Sequence, residues 1–406
     1  MKRIIAIIST FLFFITITAQ DEYVDAIVTR NNEFAVDFYK VFNIPGENVV
    51  VSPFGVSNCM AMAYIGSEGE TQKQIAKTMN FITPFGVLYS FKQLIKRFQT
   101  YKSKDVNLLI GNALWVNQNV DLDVKYKNLL KVNFLSHVQA LNFKEDDKKS
   151  AKLLNRWAKK ISNYNIRTLA QPEIFNNTTS LIFTNIVYLN GQWENPFSEE
   201  FTSKNDFFLP DSSVRKIDFM NQTAYLKYNE NELFQILELP YAGKNISFVV
   251  ILPKKVNYID SIENVINPLN FDFWTTELYT KLVSVSLPKF SSEFSQDVSY
   301  VLTDMGCRLP FGNDADFKRI SAQKTHISRI IQHTLIVVEE NKNSNLTELY
   351  VNPNDRNGLG TDFIRFNANH PFIYIVRDNV NKSILIMGKV ISPNFDMLSA
   401  SVDEFN

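Results

Sequence analysis

A polar stretch near the C-terminus is the first candidate for a functional site. It runs from Asn341 to Arg365, between the segments Val337-Val-Glu-Glu340 and Phe366-Asn-Ala-Asn-His-Pro-Phe372. The stretch shows neither helical nor strand periodicity. A segment of this length without periodicity is uncommon inside a compact domain, and it is usually functional or disordered. Its acidic, basic and amide side chains could bind a partner. The identity of that partner depends on what the other segments of the chain indicate.

Catalytic chemistry is not indicated anywhere in the sequence. The four histidines, the residues best suited to metal binding or proton transfer, show no metal-ligand spacing: His137, His326, His333 and His370. The serines lack the strand–turn–helix context of a nucleophile elbow. No glycine-rich phosphate loop is present. We therefore expect a protein that is not an enzyme and that needs no cofactor or metal.

The composition limits the range of partners. The chain has 42 basic and 42 acidic residues, so no net charge attracts it to nucleic acid or to an anionic membrane. A length of 406 residues would suggest two domains, because single cores rarely grow beyond about 250–300 residues. However, no Pro/Gly/Ser-rich linker, charge block or internal repeat divides the chain. The 33 phenylalanines can fill a large core.

The N-terminus has the layout of a secretory signal peptide. Lys2 and Arg3 precede the uncharged apolar run Ile4–Ile17, and Ala19 or Gln20 offers a cleavage point. The alternative is a membrane anchor, but this run is shorter than the roughly 20 residues that a spanning helix needs. We predict that residues 1–20 are removed and that the mature protein, residues 21–406, is secreted to the extracellular space.

Cysteines and glycan acceptors fit a secreted chain without a disulfide framework. Cys59 and Cys307 are the two cysteines. We expect Cys59 to be a buried thiol, with a Cys59–Cys307 bridge as the alternative. Several asparagines stand in the Asn-X-Ser/Thr pattern of glycosylation sites: Asn177 (overlapping with Asn176), Asn221, Asn245, Asn345 and Asn381.

Helical patterns dominate the first half of the chain and strand patterns the second. Ser52-Pro53 predicts a helix start, with a serine cap and proline in the first turn, and this helix runs through Cys59 to Ile65 and stops at Gly66. Thr71 is a candidate cap for the next helix. The run 181–189 is almost continuously apolar, which predicts a strand covered on both faces. Helices early and strands late indicate an α+β architecture.

Several segments resemble, in order, motifs of one family, the serpins. They are Asn48-Val-Val-Val-Ser-Pro-Phe54, Thr184-Asn185 with Tyr188-Leu-Asn-Gly-Gln-Trp193-Glu-Asn-Pro-Phe197, Glu238-Leu-Pro-Tyr241 with Val250-Ile-Leu-Pro253, Leu287-Pro-Lys-Phe290, Met305-Gly306, Ala315-Asp-Phe317 and the two borders of the polar stretch. Each motif is weak alone, but together they cover essentially the whole mature chain in one order. The sequence is therefore identified as a member of the serpin family by resemblance.

The resemblance implies a single α+β domain with three β-sheets, eight or nine helices and an exposed reactive loop at about residues 341–365. It also implies a metastable fold, in which the loop inserts as an extra central strand of the main sheet after a protease cuts it. Ser52 and Asn185 match the family's sheet-opening region, and Trp193 matches the place where insertion begins. The alternatives are that Ser52 is only a helix cap and Trp193 only a core aromatic. Gln332 replaces a histidine that the family usually carries.

The hinge that begins the loop departs from the pattern of inhibitory serpins. Its residues are Glu340, Asn341, Lys342, Asn343, Ser344 and Asn345. Inhibitory members have a Gly-Thr/Ser start and a run of alanines here, and Lys342 stands where the glycine is expected. Asn343 and Asn345 would face inward, where a buried amide without a partner costs about 1–3 kcal/mol. We therefore expect slow insertion, and a glycan at Asn345 would hinder it further.

The family's usual spacing from Glu340 places the scissile bond between Arg356 and Asn357, with Arg365 as a weaker candidate. Arginine carries the charge that the specificity pocket of a trypsin-like protease needs. The alternative is that Arg356 is an ordinary polar loop residue. Two functions remain open. The first is a monomeric inhibitor whose partner is a trypsin-like serine protease. The second is a non-inhibitory serpin that acts as a carrier, storage or signalling protein.

Overall fold

The structure, a computed structural model, describes residues 2–340 and 363–395, with side chains from residue 22 onward. Its helices and strands in chain order are α1 (Lys2–Phe42), β1 (Val49–Val51), α2 (Pro53–Gly66), α3 (Gly69–Met79), α4 (Pro84–Thr100), β2 (Val106–Asn117), α5 (Val124–Asn133), β3 (His137–Leu141), α6 (Asp147–Ile161), β4 (Leu181–Gly191), β5 (Ser203–Phe208), β6 (Val214–Glu230), β7 (Phe234–Pro240), β8 (Ile246–Pro253), α7 (Ile259–Val265), α8 (Pro268–Thr276), β9 (Tyr279–Pro288), β10 (Phe290–Asp297), α9 (Ser299–Asp304), β11 (Ile327–Val338), β12 (Ile364–Asn367), β13 (Phe372–Asp378) and β14 (Ile384–Val390).

The strands form a five-stranded and a nine-stranded sheet among the described residues. The smaller sheet has the order β10-β11-β4-β2-β3. The larger sheet has the order β1-β14-β13-β8-β7-β6-β9-β12, with β5 paired to β6. The α+β prediction and the expected number of helices are confirmed.

The third expected sheet is continuous with the second because β6 is long. Its first residues pair with β5, from Val214 opposite Phe208 to Phe219 opposite Ser203. Its last residues pair with β7, from Lys227 opposite Glu238 to Glu230 opposite Gln235. One uninterrupted strand therefore joins two groups of strands into a single hydrogen-bonded ladder.

Strand β4 has apolar side chains on both faces because both faces are covered, as its continuous apolar run predicted. Phe183 and Val187 belong to the main core, on the side of α2. Ile182 and Ile186 belong to a second core that includes Trp157 of α6. Successive side chains of a strand point to opposite faces, so apolar residues on both faces mean two covering layers. Strand β4 is thus the centre of the molecule.

The local helix signals were correct at Ser52 and wrong at Thr71. Helix α2 begins at Pro53 after the Ser52 cap. Helix α3 begins at Gly69, two residues before Thr71, and the Thr71 hydroxyl instead accepts a hydrogen bond from the backbone N–H of Asp316 at 2.8 Å. A side chain that satisfies a distant loop was therefore mistaken for a local cap.

Within the described part of the chain, no helix has both the length and the apolarity to cross a bilayer. Residues 2–20 are part of helix α1. The fold does not test the removal of residues 1–20, which stays a prediction.

Candidate functional site

The ladder between β4 and β11, called the seam from here on, is the site that the sequence motifs converge on. The two strands are parallel and directly hydrogen-bonded, from Leu181 opposite Ile327 to Leu189 opposite Ile336. Both outer neighbours, β2 and β10, are antiparallel to the strand that they pair with. The seam is therefore a parallel pair at the centre of an otherwise mostly antiparallel sheet.

The predicted opening region lies at the middle of the seam, where Asn185 is directly opposite Gln332. Both side chains are fully buried. The Asn185 amide nitrogen donates to Asn112 Oδ1 at 2.8 Å and to the Gly111 carbonyl at 3.2 Å, both on β2. The Gln332 amide nitrogen donates to Thr334 Oγ1 at 2.6 Å, on its own strand. Neither amide nitrogen therefore bonds across the seam.

Two amide oxygens remain unsatisfied at this level of the seam. Asn185 Oδ1 and Gln332 Oε1 are buried and have no hydrogen-bond partner among the residues that the structure describes. A buried polar atom without a partner costs about 1–3 kcal/mol. The replacement of the usual histidine by Gln332 was expected to alter the hydrogen bonding of the opening region. In this structure no side-chain hydrogen bond between the described residues Asn185 and Gln332 crosses the seam.

Ser52 acts as a helix cap, and its neighbour Gly55 packs against the seam. Its hydroxyl accepts from the backbone N–H of Gly55 at 2.9 Å and donates to the carbonyl of Leu385 at 2.6 Å. A Cβ atom added to Gly55 would lie 2.0 Å from Asn185 Oδ1. The first turn of α2 therefore packs on Asn185, and any larger residue than glycine would push the two apart.

Next to Gln332, His333 makes a contact that the sequence did not reveal. Its side chain points to the opposite face of β11 because alternate residues of a strand do so. His333 Nε2 lies 2.8 Å from Glu293 Oε1 on β10. Glu293 is separated from it by 40 residues in sequence. The histidine of this strand thus holds the outer strand β10 rather than the seam.

Trp193 lies at the top of the seam, where the chain leaves β11. Its indole nitrogen donates to the carbonyl of Glu339 at 2.9 Å, and its ring stacks on Tyr241 with centroids 4.6 Å apart. The Glu339 carboxylate accepts from the Asn190 amide at 2.9 Å. Trp193 therefore packs in the core and also binds the segment that follows β11, and its role at the start of insertion stays a prediction.

Glu340, the first hinge residue, is held by a cation and a hydroxyl. Its carboxylate lies 2.5 Å from Lys289 Nζ and accepts from Thr202 Oγ1 at 2.5 Å. Burial acts to raise the pKa of Glu340. The hydrogen bonds from Lys289 and Thr202, together with the positive charge of Lys289, outweigh burial and hold this pKa below its ordinary value. The charged carboxylate is thus the stable form in the closed sheet.

The remaining hinge and the reactive bond lie outside the described residues: Asn341, Lys342, Asn343, Ser344, Asn345, Arg356 and Asn357. The weaker candidate Arg365 is described, and it belongs to β12, opposite Ser284 of β9. Its carbonyl also accepts from the Gln235 amide at 3.1 Å. Because this backbone is held in a sheet ladder, Arg365 is part of the border and not of the loop. Arg356 is the arginine that remains between the two borders.

The glycan candidates differ in how their amide nitrogens are placed. Asn177 and Asn245 are exposed, whereas Asn345 lies outside the described residues. Asn221 is only 5% exposed, and its nitrogen donates to the carbonyls of Phe201 and Phe219 at 2.7 and 3.0 Å. The amide nitrogen of Asn381 is buried. A glycan on either of these last two nitrogens would conflict with the folded geometry.

Cys59 and Cys307 are both free and buried, so the alternative of a bridge between them is not realised. Burial raises the pKa of the Cys59 thiol well above its ordinary value, and it raises that of Cys307 to about 12. Both thiols therefore stay protonated at neutral pH and pack as small apolar side chains.

Comparison with known proteins places this geometry in one family. The family model described as Serpin (serine protease inhibitor) matches residues 29–393. Human Serpin I2 is 28% identical over 376 residues, covering 90% of this chain and 91% of that protein. An uncharacterised serpin-like protein of Methanosarcina acetivorans is 31% identical over 387 residues, covering 91% and 88%. The structure of uncleaved ovalbumin matches with a TM-score of 0.84 at 23% identity, covering 91% and 100%.

The chain therefore belongs to the serpin family and has the serpin fold. The recognition made from ordered motifs is confirmed. The family is that of serine protease inhibitors, and the finer questions are the protease, the bond that it attacks and the fate of the loop.

Proposed function

We propose that this protein is a secreted, monomeric serpin that presents the Arg356–Asn357 bond to a trypsin-like serine protease. It acts by binding and not as an enzyme. Arg356 supplies the positive charge that a trypsin-like specificity pocket accepts. The placement of Arg365 in β12 supports this choice, because Arg365 is no longer available as a loop residue.

The observation that carries the proposal is the direct parallel pairing of β4 and β11. A segment that follows β11 and folds back beside it runs antiparallel to β11. Because β4 is parallel to β11, the same segment is antiparallel to β4 as well. Insertion therefore replaces one parallel ladder with two antiparallel ladders, which are slightly more stable per residue. Each added backbone hydrogen bond contributes about 0.5–1.5 kcal/mol net.

The top of the seam supplies the place where insertion would start. Separation of β4 from β11 there requires that the Trp193 bond to Glu339 and the Asn190 bond to Glu339 break. These two side-chain bonds and the backbone ladder between β4 and β11 are lost, and two backbone ladders are gained. The closed sheet thus retains a large driving force, which a cut loop could release to trap the attached protease.

The hinge residues favour a second candidate, a non-inhibitory serpin. Lys342 replaces glycine, and Asn343 and Asn345 would bring amides into the sheet interior. Asn and Lys are poor strand formers, and each buried amide without a partner costs about 1–3 kcal/mol. Under this candidate the loop is cut as a plain substrate or left alone, and the protein serves as a carrier, storage or signalling protein.

One experiment separates the two candidates. The mature protein is incubated with trypsin, and the products are separated on a denaturing gel and weighed by mass spectrometry. We expect cleavage after Arg356 with little denaturant-resistant complex. The control Arg356→Ala should lose this cut. A stoichiometric covalent complex would establish inhibition and remove the second candidate, whereas a loop that is never cut at Arg356 would overturn the choice of the reactive bond.

A further inference from the structure

A pocket of about 540 Å³ lies between helices α4 and α6 and strands β2 and β3. Its walls are mostly apolar and include Ile95 of α4, Phe134 after α5, and Trp157 and Ile161 of α6. Pockets that hold small molecules in proteins have volumes of about 300–1,000 Å³ and are lined in this way. The size and the walls therefore suit a ligand with a long apolar part.

The floor of the pocket depends on Gly111 of β2. A Cβ atom added there would lie 2.5 Å from Ile161 Cγ2 and 3.3 Å from Trp157. The absence of a side chain lets α6 approach the strand and closes one end of the pocket with apolar groups. Gly111 itself is buried at this end.

Two cations line the pocket at its solvent side. Arg156 and Lys160 lie one helical turn apart on α6, and both are exposed. No lining residue is acidic. Within the described part of the chain, neither cation has a carboxylate partner within 4.0 Å, unlike Lys149 of the same helix, which pairs with Asp146 at 3.4 Å. The pocket thus combines an apolar interior with unpaired positive charge at one side.

Leu135 lines the pocket at the end of helix α5. It is 44% exposed, and its φ is +50°, in the left-handed region. A left-handed residue commonly ends a helix, and here the backbone N–H of Ser136 donates to the carbonyl of Leu130 at 3.3 Å. The exposed leucine side chain would lose contact with water by covering an apolar ligand.

We propose that this pocket binds an amphipathic anion, namely an unbranched alkyl chain with a carboxylate or sulfate head. The chain lies among Phe134, Leu135, Trp157 and Ile161, and the head lies between Arg156 and Lys160. This site is separate from the reactive loop and does not depend on the proposed protease function.

The first test is a chain-length series by titration calorimetry on the mature protein, with octanoate, decanoate and dodecanoate below their micelle concentrations. Each buried methylene should lower the Kd about fourfold, until the pocket is full. Dodecyltrimethylammonium, which has the opposite charge, should not bind. Affinity that is independent of chain length, or equal for both head charges, would overturn the proposal.

The second test places the head group. Arg156→Gln combined with Lys160→Gln should weaken dodecanoate binding at least about tenfold and leave 1-dodecanol binding unchanged. The matched control is Lys152→Gln combined with Lys159→Gln, which removes the same charge from exposed positions of α6 that do not line the pocket. An equal loss in both pairs would show general charge attraction and would contradict the assigned site.

The third test locates the alkyl chain of the ligand and distinguishes a free ligand from a lipid surface. Gln99 is exposed and lines the pocket from α4, so Gln99→Trp should fill it and abolish dodecanoate binding while the circular dichroism spectrum stays native. Unchanged binding in this folded variant would refute the location. Co-flotation with phosphatidylglycerol vesicles, without binding of monomeric dodecanoate, would assign the cations to a lipid surface and overturn the pocket as a site for a free ligand.

Discussion

In the middle of the seam, Asn185 and Gln332 lie opposite each other, yet each amide bonds within its own half of the sheet and leaves a buried oxygen without a described partner. At the top of the seam, the carboxylates of Glu339 and Glu340 have side-chain partners on other elements: Asn190, Lys289 and Thr202. At the top, the side chains of Asn190 and Trp193 thus join the β4 side of the seam to Glu339, whereas no side-chain bond joins the described residues Asn185 and Gln332 in the middle. Glu340 is fixed instead to Lys289 and Thr202, which lie outside both strands.

This contrast fits a sheet that has to open in one place. A top held by charge-assisted hydrogen bonds fixes the point at which the chain leaves β11. In the middle, no side-chain hydrogen bond between the described residues Asn185 and Gln332 adds to the backbone ladder, so less has to break there once the top has separated. We therefore expect substitutions at the top to change stability more than substitutions in the middle.

The largest expected effect is that of Lys289→Met. The Glu340 side chain is 4% exposed and that of Lys289 is 22% exposed, so the substitution leaves a buried carboxylate without its cation. We expect a loss of about 3 kcal/mol, the lower end of the cost of breaking a buried pair, because Lys289 keeps some contact with water. Urea unfolding of the intact protein measures it.

The matched control is the double variant Lys289→Met with Glu340→Gln. This variant removes both charges, so it should recover a substantial part of the lost stability. The contacts of Glu340 with Lys289 and Thr202 form a clamp at the top of the seam. If Lys289→Met alone were as stable as the unaltered protein, this clamp would have no role in stability.

A smaller gain is expected from Gln332→His. An imidazole N–H at this position could donate to Asn185 Oδ1 across the seam and satisfy one of the two unpaired oxygens. One such hydrogen bond should raise the stability of the closed sheet by about 1 kcal/mol. The midpoint of urea unfolding should rise for Gln332→His and should not rise for the control Gln332→Leu, which cannot donate to Asn185 Oδ1. A fall with Gln332→His would show that the ring does not fit.

The pH dependence of stability should distinguish the clamp from the middle. The pKa of Glu340 is lowered in the folded protein from an ordinary value of 4.5. The unfolded chain therefore binds a proton first as the pH falls, and the stability that Glu340 contributes above pH 4.5 is lost below it. The melting temperature of Glu340→Gln should therefore fall less with decreasing pH than that of the unaltered protein. Gln332→Glu would place a new titrating carboxyl group in the middle of the seam. Parallel acid curves for the unaltered protein and Glu340→Gln would rule out the clamp as an acid-sensitive contact.

The mass of the secreted protein, rather than its stability, tests which asparagines carry glycans. We expect Asn245→Gln and Asn345→Gln each to remove one glycan from part of the secreted protein, because Asn245 is exposed and Asn345 belongs to the predicted reactive loop. Asn221→Gln should leave the mass of the glycans unchanged, because the Asn221 nitrogen is buried and hydrogen-bonded. Mass spectrometry of the secreted variants gives the answer, and a glycan on Asn221 would contradict the packing around it.

Local signals predicted the elements that depend on neighbouring residues. Ser52-Pro53 predicted the start of α2, since a cap and a first-turn proline need only the next three residues. The apolar run of β4 predicted a strand covered on both sides. Strand β6 was missed, because it is exposed at one end and buried further along, so no single alternation runs through it.

Contacts between distant segments could not be predicted from the sequence. Lys289 belongs to a motif that was recognised, but nothing in it indicated a pair with Glu340, and Thr202 is 138 residues from Glu340. The family motif placed Asn185 and Gln332 in one region, whereas their failure to bond each other depends on rotamers set by β2 and Thr334. The Asn-X-Ser/Thr pattern depends on three neighbouring residues, whereas the burial of Asn221 depends on distant residues such as Phe201.

The central claim is that the fold can still accept the loop while the hinge residues oppose it. The most direct measurement is the melting temperature of the protein before and after the loop is cut at Arg356, beside a variant with Lys342→Gly, Asn343→Thr and Asn345→Ala. We predict that cutting raises the melting temperature little in the unaltered protein, because insertion buries amides, and strongly in the variant, which should also trap some trypsin. A large rise in the unaltered protein would contradict this account of the hinge.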